Sequence, residues 1–176
     1  MFIYLFVSYL MFILSIHHIY NTIFTNTLFI IRGISGSGKS HLVKEIENEN
    51  QLSKYNHINY VELNIYKILK YDDTITSKKL AEAYNRCFYY FINCLNRNIN
   101  HIYITNPFIY KWEYLNYIEL AKSYGYKIKI IELNCQNNKQ LEICYNRSEN
   151  VKNYNLLKSQ YKQFESDSNS DIYNIQ

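Results

Sequence analysis

With 176 residues the chain has material for one domain with a sizeable core, and its net charge of +4 is spread without a Lys/Arg block. Composition alone therefore gives no argument for nucleic-acid binding. Tyr, Asn, Ile and Lys are heavily used while Pro and Gly are scarce, at one and four residues, the bias an AT-rich coding sequence produces. Single tyrosines and asparagines thus carry little functional weight. The four cysteines, Cys87, Cys94, Cys135 and Cys144, form no C-x-x-C pair, which argues against a zinc site. They read as small buried apolar residues in a reduced compartment.

Residues 1–16 are uncharged and nearly all apolar, and His17 and His18 follow. The run is slightly short for a spanning helix, and it lacks a positive leader and a small-residue cleavage site. Three readings stay open for residues 1–25. They are an anchor that tethers a cytoplasmic domain to a membrane through residues 1–20, a helix lying against the domain, or translated upstream sequence with the true start at Met11 or later.

From Leu28 the pattern becomes regular. Residues 28–31 are a continuous apolar run, as expected of a buried parallel strand. Residues 41–49 read as a helix with Leu42, Val43 and Ile46 inward and Glu45, Glu47 and Glu49 outward. A second strand is expected at 58–63. Residues 78–95 form a long helix, in which Leu80, Ala83, Cys87, Phe91 and Cys94 recur at helical spacing. A third strand follows at 101–105, a helix at 112–124 stopped by Gly125, and a fourth strand at 127–133. Residues 138–146 and 154–164 look helical. The Ser/Asp/Asn-rich tail, 166–176, is expected to be disordered. Strands alternating with helices over 28–165 define an α/β fold with a parallel sheet.

The sharpest signal is Gly33-Ile34-Ser35-Gly36-Ser37-Gly38-Lys39-Ser40. Every fixed position of the P-loop, or Walker A, pattern is filled. A buried strand enters the loop and an amphipathic helix leaves it. Gly33, Gly36 and Gly38 let the backbone turn its N–H groups on phosphate oxygens, and the helix start adds a positive dipole end. Lys39 is placed to reach the β- and γ-phosphates and Ser40 to give a hydroxyl to Mg²⁺. Three of the four glycines lie in this loop, in a chain that otherwise avoids glycine. A nucleoside triphosphate is the expected partner. The motif alone does not choose among hydrolysis, phosphoryl transfer and switching.

Residues 28–164 resemble small P-loop kinases of the polynucleotide-kinase-like and zeta-toxin-like group, and most of all the kinase module of NEDD-type ubiquitin-ligase-binding proteins. Arg32 before the loop looks like that family's opening. Trp112-Glu113, Tyr117, Ala121 and Gly125-Tyr126 are similar to its W-E…Y…A…G-Y stretch, and Asn146-Arg147, Val151, Tyr161 and Phe164-Glu165 fall where it has a lid and closing helix. The resemblance implies a three-layer α/β/α nucleoside-kinase-like fold with the P-loop strand central and the strand ending at Thr105 beside it. It also implies ATP as phosphoryl donor, Mg²⁺, and a hydroxyl acceptor on a polynucleotide 5′ end or a small substrate.

Two family acids are replaced. The resemblance puts Thr105 where an aspartate helps hold Mg²⁺, ahead of Asn106, and Asn64 where a carboxylate handles the acceptor, ahead of Tyr66. The lid histidine is absent too, Asn150 being nearest. Glu62, Asp72 and Asp73 are the candidate substitutes, and Arg147 is the candidate lid arginine. The expectation is therefore either an enzyme in which other acids took over or a weakened nucleotide-binding module.

Overall fold

In the computed structural model, residues 26–52, 59–69, 76–149, 151 and 153–175 are described. The apolar N-terminal segment, Asp72, Asp73 and Asn150 lie outside them. In chain order the elements are β1 (Thr27–Arg32), α1 (Lys39–Leu52), β2 (Tyr60–Leu63), α2 (Ile65–Leu69), α3 (Ser77–Asn96), β3 (His101–Ile104), α4 (Trp112–Ser123), β4 (Lys127–Asn134), α5 (Asn138–Arg147), α6 (Tyr154–Gln163) and β5 (Asp171–Asn174). Among the described residues no helix is long and apolar enough to cross a membrane.

The five strands form one sheet in the order β2-β3-β1-β4-β5, and every pairing is parallel. All six residues of β1 are buried, as a central strand covered on both faces requires. The side chains of β1 alternate between two cores. Leu28 and Ile30 join Ala83, Cys87 and Phe91 of α3 and Tyr117 and Ala121 of α4. Phe29 and Ile31 join Val43 of α1, Leu141 and Cys144 of α5 and Leu157 of α6. The layers are thus helices, sheet, helices, as the family resemblance implies. The chain runs from β1 to one side through β2 and β3, then to the other through β4 and β5. This switch opens a crevice at the carboxyl end of β1, where the glycine-rich loop sits.

The helix ends are set by local chemistry. Thr76, Asn137 and Asn153 cap α3, α5 and α6 by accepting from backbone N–H groups of the first turn. Gly125, at φ 78°, stops α4.

Two expectations are corrected. Glu47 was placed on the outward face of its helix, but it is buried. Tyr103 Oη donates to its carboxylate, and His101 Nδ1 lies 2.9 Å from Oε1. The edge of α1 that carries Glu47 faces the strand start at His101, so the polar contact is satisfied inside the fold.

The tail is also ordered. Asp171–Asn174 pairs with Ile131–Asn134 as the fifth strand, and Ile175 is buried. Its polar composition hid a set of specific anchors. Glu132, fully buried, accepts from Ser166 Oγ at 3.1 Å and Asp167 N at 3.1 Å. Tyr114 Oη donates to Asp167 Oδ2 at 2.5 Å. Burial pushes the Asp167 carboxyl up, but bonds from Tyr114 and Asn169 outweigh it and hold the group below the ordinary aspartate value. Ending the chain at Glu165 would remove a buried Ile and strip donors from a buried carboxylate. The expected loss of stability is about 3–5 kcal/mol, read as a lower urea midpoint. An unchanged midpoint would mean that the tail adds nothing to the fold.

Candidate functional site

β1 ends at Arg32, and the loop begins one residue later with Gly33 N donating to Pro107 O at 3.0 Å. Arg32 is completely buried. Its Nε and Nη2 donate to Phe108 O at 3.2 and 3.1 Å, Nη2 also to Ile109 O at 3.2 Å, and Nη1 to Tyr114 Oη at 3.3 Å. Glu132 lies 3.7 Å from Nη1, and the Phe164 ring stacks 4.5 Å from the guanidinium carbon. The arginine before the loop is therefore a structural anchor. It joins the ends of β1 and β4, the 106–109 segment and the tail.

The loop is wedged between this anchor and α5. Gly36 has φ 78°, and a Cβ there would meet Cys144 O at 1.9 Å. Gly33 is similarly crowded, with Leu133 O and Ser37 Oγ at 2.8 Å from a Cβ position. On the side of α6, Ser35 N donates to Gln160 Oε1 at 3.1 Å. Lys39 is buried, and its Nζ donates to Gly33 O at 2.8 Å and Ile34 O at 2.9 Å. Burial pushes its ammonium down to about 8, against the upward pull of nearby Glu62. Ser37 Oγ is buried without a hydrogen-bond partner among the described residues. A buried ammonium in a loop at a helix start suits an anionic ligand.

Beside the loop stands a carboxylate. Glu62, on β2, accepts from Ser40 Oγ at 2.6 Å and from Thr105 Oγ1 at 2.8 Å, both on Oε1. Lys67 Nζ contacts Oε2. Burial pushes this carboxyl up, but hydrogen bonds from Lys67, Ser40 and Thr105 outweigh it and hold it below the ordinary glutamate value. Glu62 is thus ionised and within reach of the P-loop hydroxyl. The two neutral family substitutes behave differently from each other. Thr105 orients Glu62. Asn64 is fully used, donating to Thr105 O at 3.1 Å and Oγ1 at 3.0 Å while its Oδ1 caps α2 through Tyr66 N at 2.8 Å. Asn106 is structural as well, accepting from Ile65 N at 2.9 Å.

The loop and the neighbouring strand and helix ends wall a cavity of about 340 Å³. The loop supplies Ser35, Gly36 and Gly38 to His41, the strand ends supply Asn64, Tyr66 and Thr105, and the end of α5 supplies Arg147, Ser148 and Glu149. Arg147 is exposed at the rim and has no ion-pair partner among the described residues. The structure thus brings Gly36, Gly38, Lys39, Ser40, Glu62, Asn64, Thr105 and Arg147 to one place. Ile34 and Ser37 point into the protein and support the loop from behind. Sequence reasoning missed Lys67, Gln160 and Glu149. Glu149, two residues beyond the lid arginine, was legible in principle; the partners of Lys67 and Gln160 are tertiary.

The fold and this site define a P-loop NTPase of the kinase-like kind. Residues 28–166 match the AAA_33 family model, described as AAA domain, and the chain belongs to that family. Among solved structures it is similar to the Mycobacterium tuberculosis APS kinase CysC in complex with AMPPNP and APS, at 14% identity, covering 85% of this chain and 88% of that one with a TM-score of 0.60. It is also similar to a gluconokinase from Sinorhizobium meliloti 1021, at 14% identity, 86% and 83% coverage and a TM-score of 0.55. A third likeness is to Chaetomium thermophilum Kti12 in complex with ADP-AlF3, at 11% identity, 84% and 87% coverage and a TM-score of 0.54. No curated protein sequence matches the chain. These likenesses, at 14% identity or below, are of fold; the family match together with the complete P-loop makes this chain a nucleotide-binding, kinase-like module.

The contact of Gly36 with α5 gives a specific test. Gly36→Ala must push Cys144 away or reshape the loop. Nucleotide affinity is expected to fall at least about tenfold, the equivalent of one charged hydrogen bond, in calorimetric titration, while a thermal melt still shows a cooperative transition.

Proposed function

We propose that the chain is a kinase that transfers the γ-phosphoryl of ATP to a hydroxyl, and that Glu62 carries the metal-facing role of the missing aspartate. The observation that supports this most is the Glu62 carboxylate 2.6 Å from Ser40 Oγ. An ionised carboxylate oxygen next to a hydroxyl is a hard-oxygen set that suits Mg²⁺. When bound there, Mg²⁺ would neutralise charge on the transferring phosphoryl.

This chain's own residues divide the remaining work. The loop amides and Lys39 hold the phosphates. Thr105 fixes the carboxylate through its 2.8 Å bond and need not touch the metal. Arg147, at the rim, is free to swing onto phosphoryl oxygens as charge builds. Phosphoryl transfer is mostly positioning and electrostatics, so a strong general base is not a requirement. The acceptor enters at the side of Tyr66 and Asn64. A polynucleotide 5′ hydroxyl is the acceptor we favour, on the resemblance of the Trp112-Glu113 and Asn146-Arg147 stretches. A small hydroxyl substrate is the alternative within the same reaction.

The competing reading is a nucleotide-binding switch with little turnover. Asn64 supports it, being neutral and fully hydrogen-bonded where an acceptor-handling acid is expected. ATP consumption measured with and without an oligonucleotide bearing a 5′ hydroxyl separates the two. Stimulation by the oligonucleotide, with label transferred to its end, supports the kinase. ATP binding without turnover under every condition supports the switch.

Two variants check the roles. Lys39→Ala is expected to lose most ATP binding by calorimetry, and equal affinity in both forms would reject the loop as the phosphate site. Glu62→Gln keeps the shape and removes the charge. It is expected to lower turnover on the order of a hundredfold and to raise the Mg²⁺ needed for half-maximal rate.

A further inference from the structure

We propose that Lys67 is a tethered cation that competes with the metal for Glu62, so that the metal–nucleotide complex binds by displacing its ammonium. This rests on the reading of Glu62 and Ser40 as the metal-facing pair. Glu62 uses its two oxygens differently. Oε1 takes both hydroxyl donors, Ser40 and Thr105, and Oε2 takes the Lys67 ammonium. The Glu62 side chain is only 11% exposed, whereas that of Lys67 is 54% exposed. A carboxylate so far withdrawn from water needs a counter-charge, and the ammonium supplies it from the solvent side.

The backbone of Lys67 is fixed while its side chain is not. α2 begins at Ile65, whose N–H is held by Asn106, and the Asn64 cap fixes Tyr66 N. Lys67 follows directly, on a flexible four-carbon stem. A divalent ion against Glu62 and Ser40 would stand within a few ångströms of this ammonium and repel it. The half-exposed side chain can leave into water, where it is well solvated. The ammonium therefore acts as a resident stand-in for the metal. It keeps Glu62 placed, and it sets a threshold that the metal–nucleotide complex must exceed. Because the ammonium is half-exposed, solvent screens the pair toward the strength of a surface ion pair, which corresponds to a competition of about fivefold.

Calorimetric titration tests this on the full chain with two ligands, Mg·ATP and ATP in excess EDTA. The variants are Lys67→Met, Lys67→Gln, Glu62→Gln and Glu62→Gln combined with Lys67→Met, each checked by thermal melt. Mn²⁺ binding followed by electron paramagnetic resonance gives a second readout of the metal. Both Lys67 variants are expected to bind Mg·ATP about fivefold more tightly and metal-free ATP with unchanged affinity. The gain should vanish in the Glu62→Gln background. Unchanged or weaker Mg·ATP binding in both Lys67 variants would overturn the proposal. So would a gain that persists without metal or without the carboxylate. If Glu62→Gln retains the wild-type preference for Mg·ATP over ATP, the metal-facing reading of Glu62 itself falls. If Glu62→Gln loses that preference while the Lys67 variants behave as wild type, only the competition is wrong.

Discussion

The structure turns on one buried charge. The Arg32 guanidinium is wholly inaccessible at the end of the central strand. An unpaired buried charge costs several kcal/mol, so its donors must be met. They are met by two main-chain carbonyls, one phenol and one carboxylate, drawn from three separate stretches of chain. To present its carbonyl, Phe108 takes φ 47°, a left-handed conformation that costs an ordinary residue roughly 1–2 kcal/mol. Burial of its ring in the core beside Tyr114 and Tyr117 offsets that. The 106–109 segment is thereby fixed, and Pro107 O is placed to receive Gly33 N. The first residue of the phosphate loop is positioned by the satisfaction of the arginine that precedes it.

The site's two withdrawn carboxylates show how burial and partner type separate structure from function. Glu132 pairs with β1 in register at Arg32 and is held by the Ser166 hydroxyl, the Asp167 amide and a guanidinium that cannot leave. Nothing can exchange there without unfolding the tail. Glu62 is held by the hydroxyls of Ser40 and Thr105, two residues that line the cavity, and by a half-exposed ammonium. Its partners can be exchanged for a cation at small cost. Both carboxylates are withdrawn from water inside the protein, yet only one is chemically available.

How much of this was legible depended on the range of the interaction. The glycine loop, its strand and its helix are local and follow from the sequence pattern, whereas the central position of β1 follows from the family resemblance. The amphipathic helix carrying Cys87, Phe91 and Cys94 was also plain, because its buried face repeats at helical spacing. The tail was misread because its order comes from Glu132 and Tyr114, far away in sequence. Glu47 was misread because its partners Tyr103 and His101 sit on another strand. Glu62 is legible as a candidate acid, but its contacts with Ser40 and Thr105 are not, since β2 is separated from the loop strand by β3. A glutamate side chain is long enough to reach across Thr105 to Ser40, which no alignment by position reveals. Thr105 lies along that reach and donates its hydroxyl to the same carboxylate oxygen.

The same packing bears on how a nucleotide would meet the loop. Gly36 lies against the Cys144 carbonyl of α5, Ser35 N is tied to Gln160 of α6, and Lys39 Nζ is bonded to Gly33 O and Ile34 O. The loop is therefore braced from both helices and from within before any phosphate arrives. Fixing a loop's backbone costs about 1–2 kcal/mol per residue in entropy, and here folding meets that cost in advance. Binding energy from phosphate contacts is left for affinity and for charge stabilisation in transfer, which is the advantage of a preorganised site. What remains to be exchanged on binding are the parts whose partners are weak or solvent-facing. Those are the half-exposed ammonium of Lys67, held against Glu62 beside Ser40, and the exposed guanidinium of Arg147 at the cavity rim.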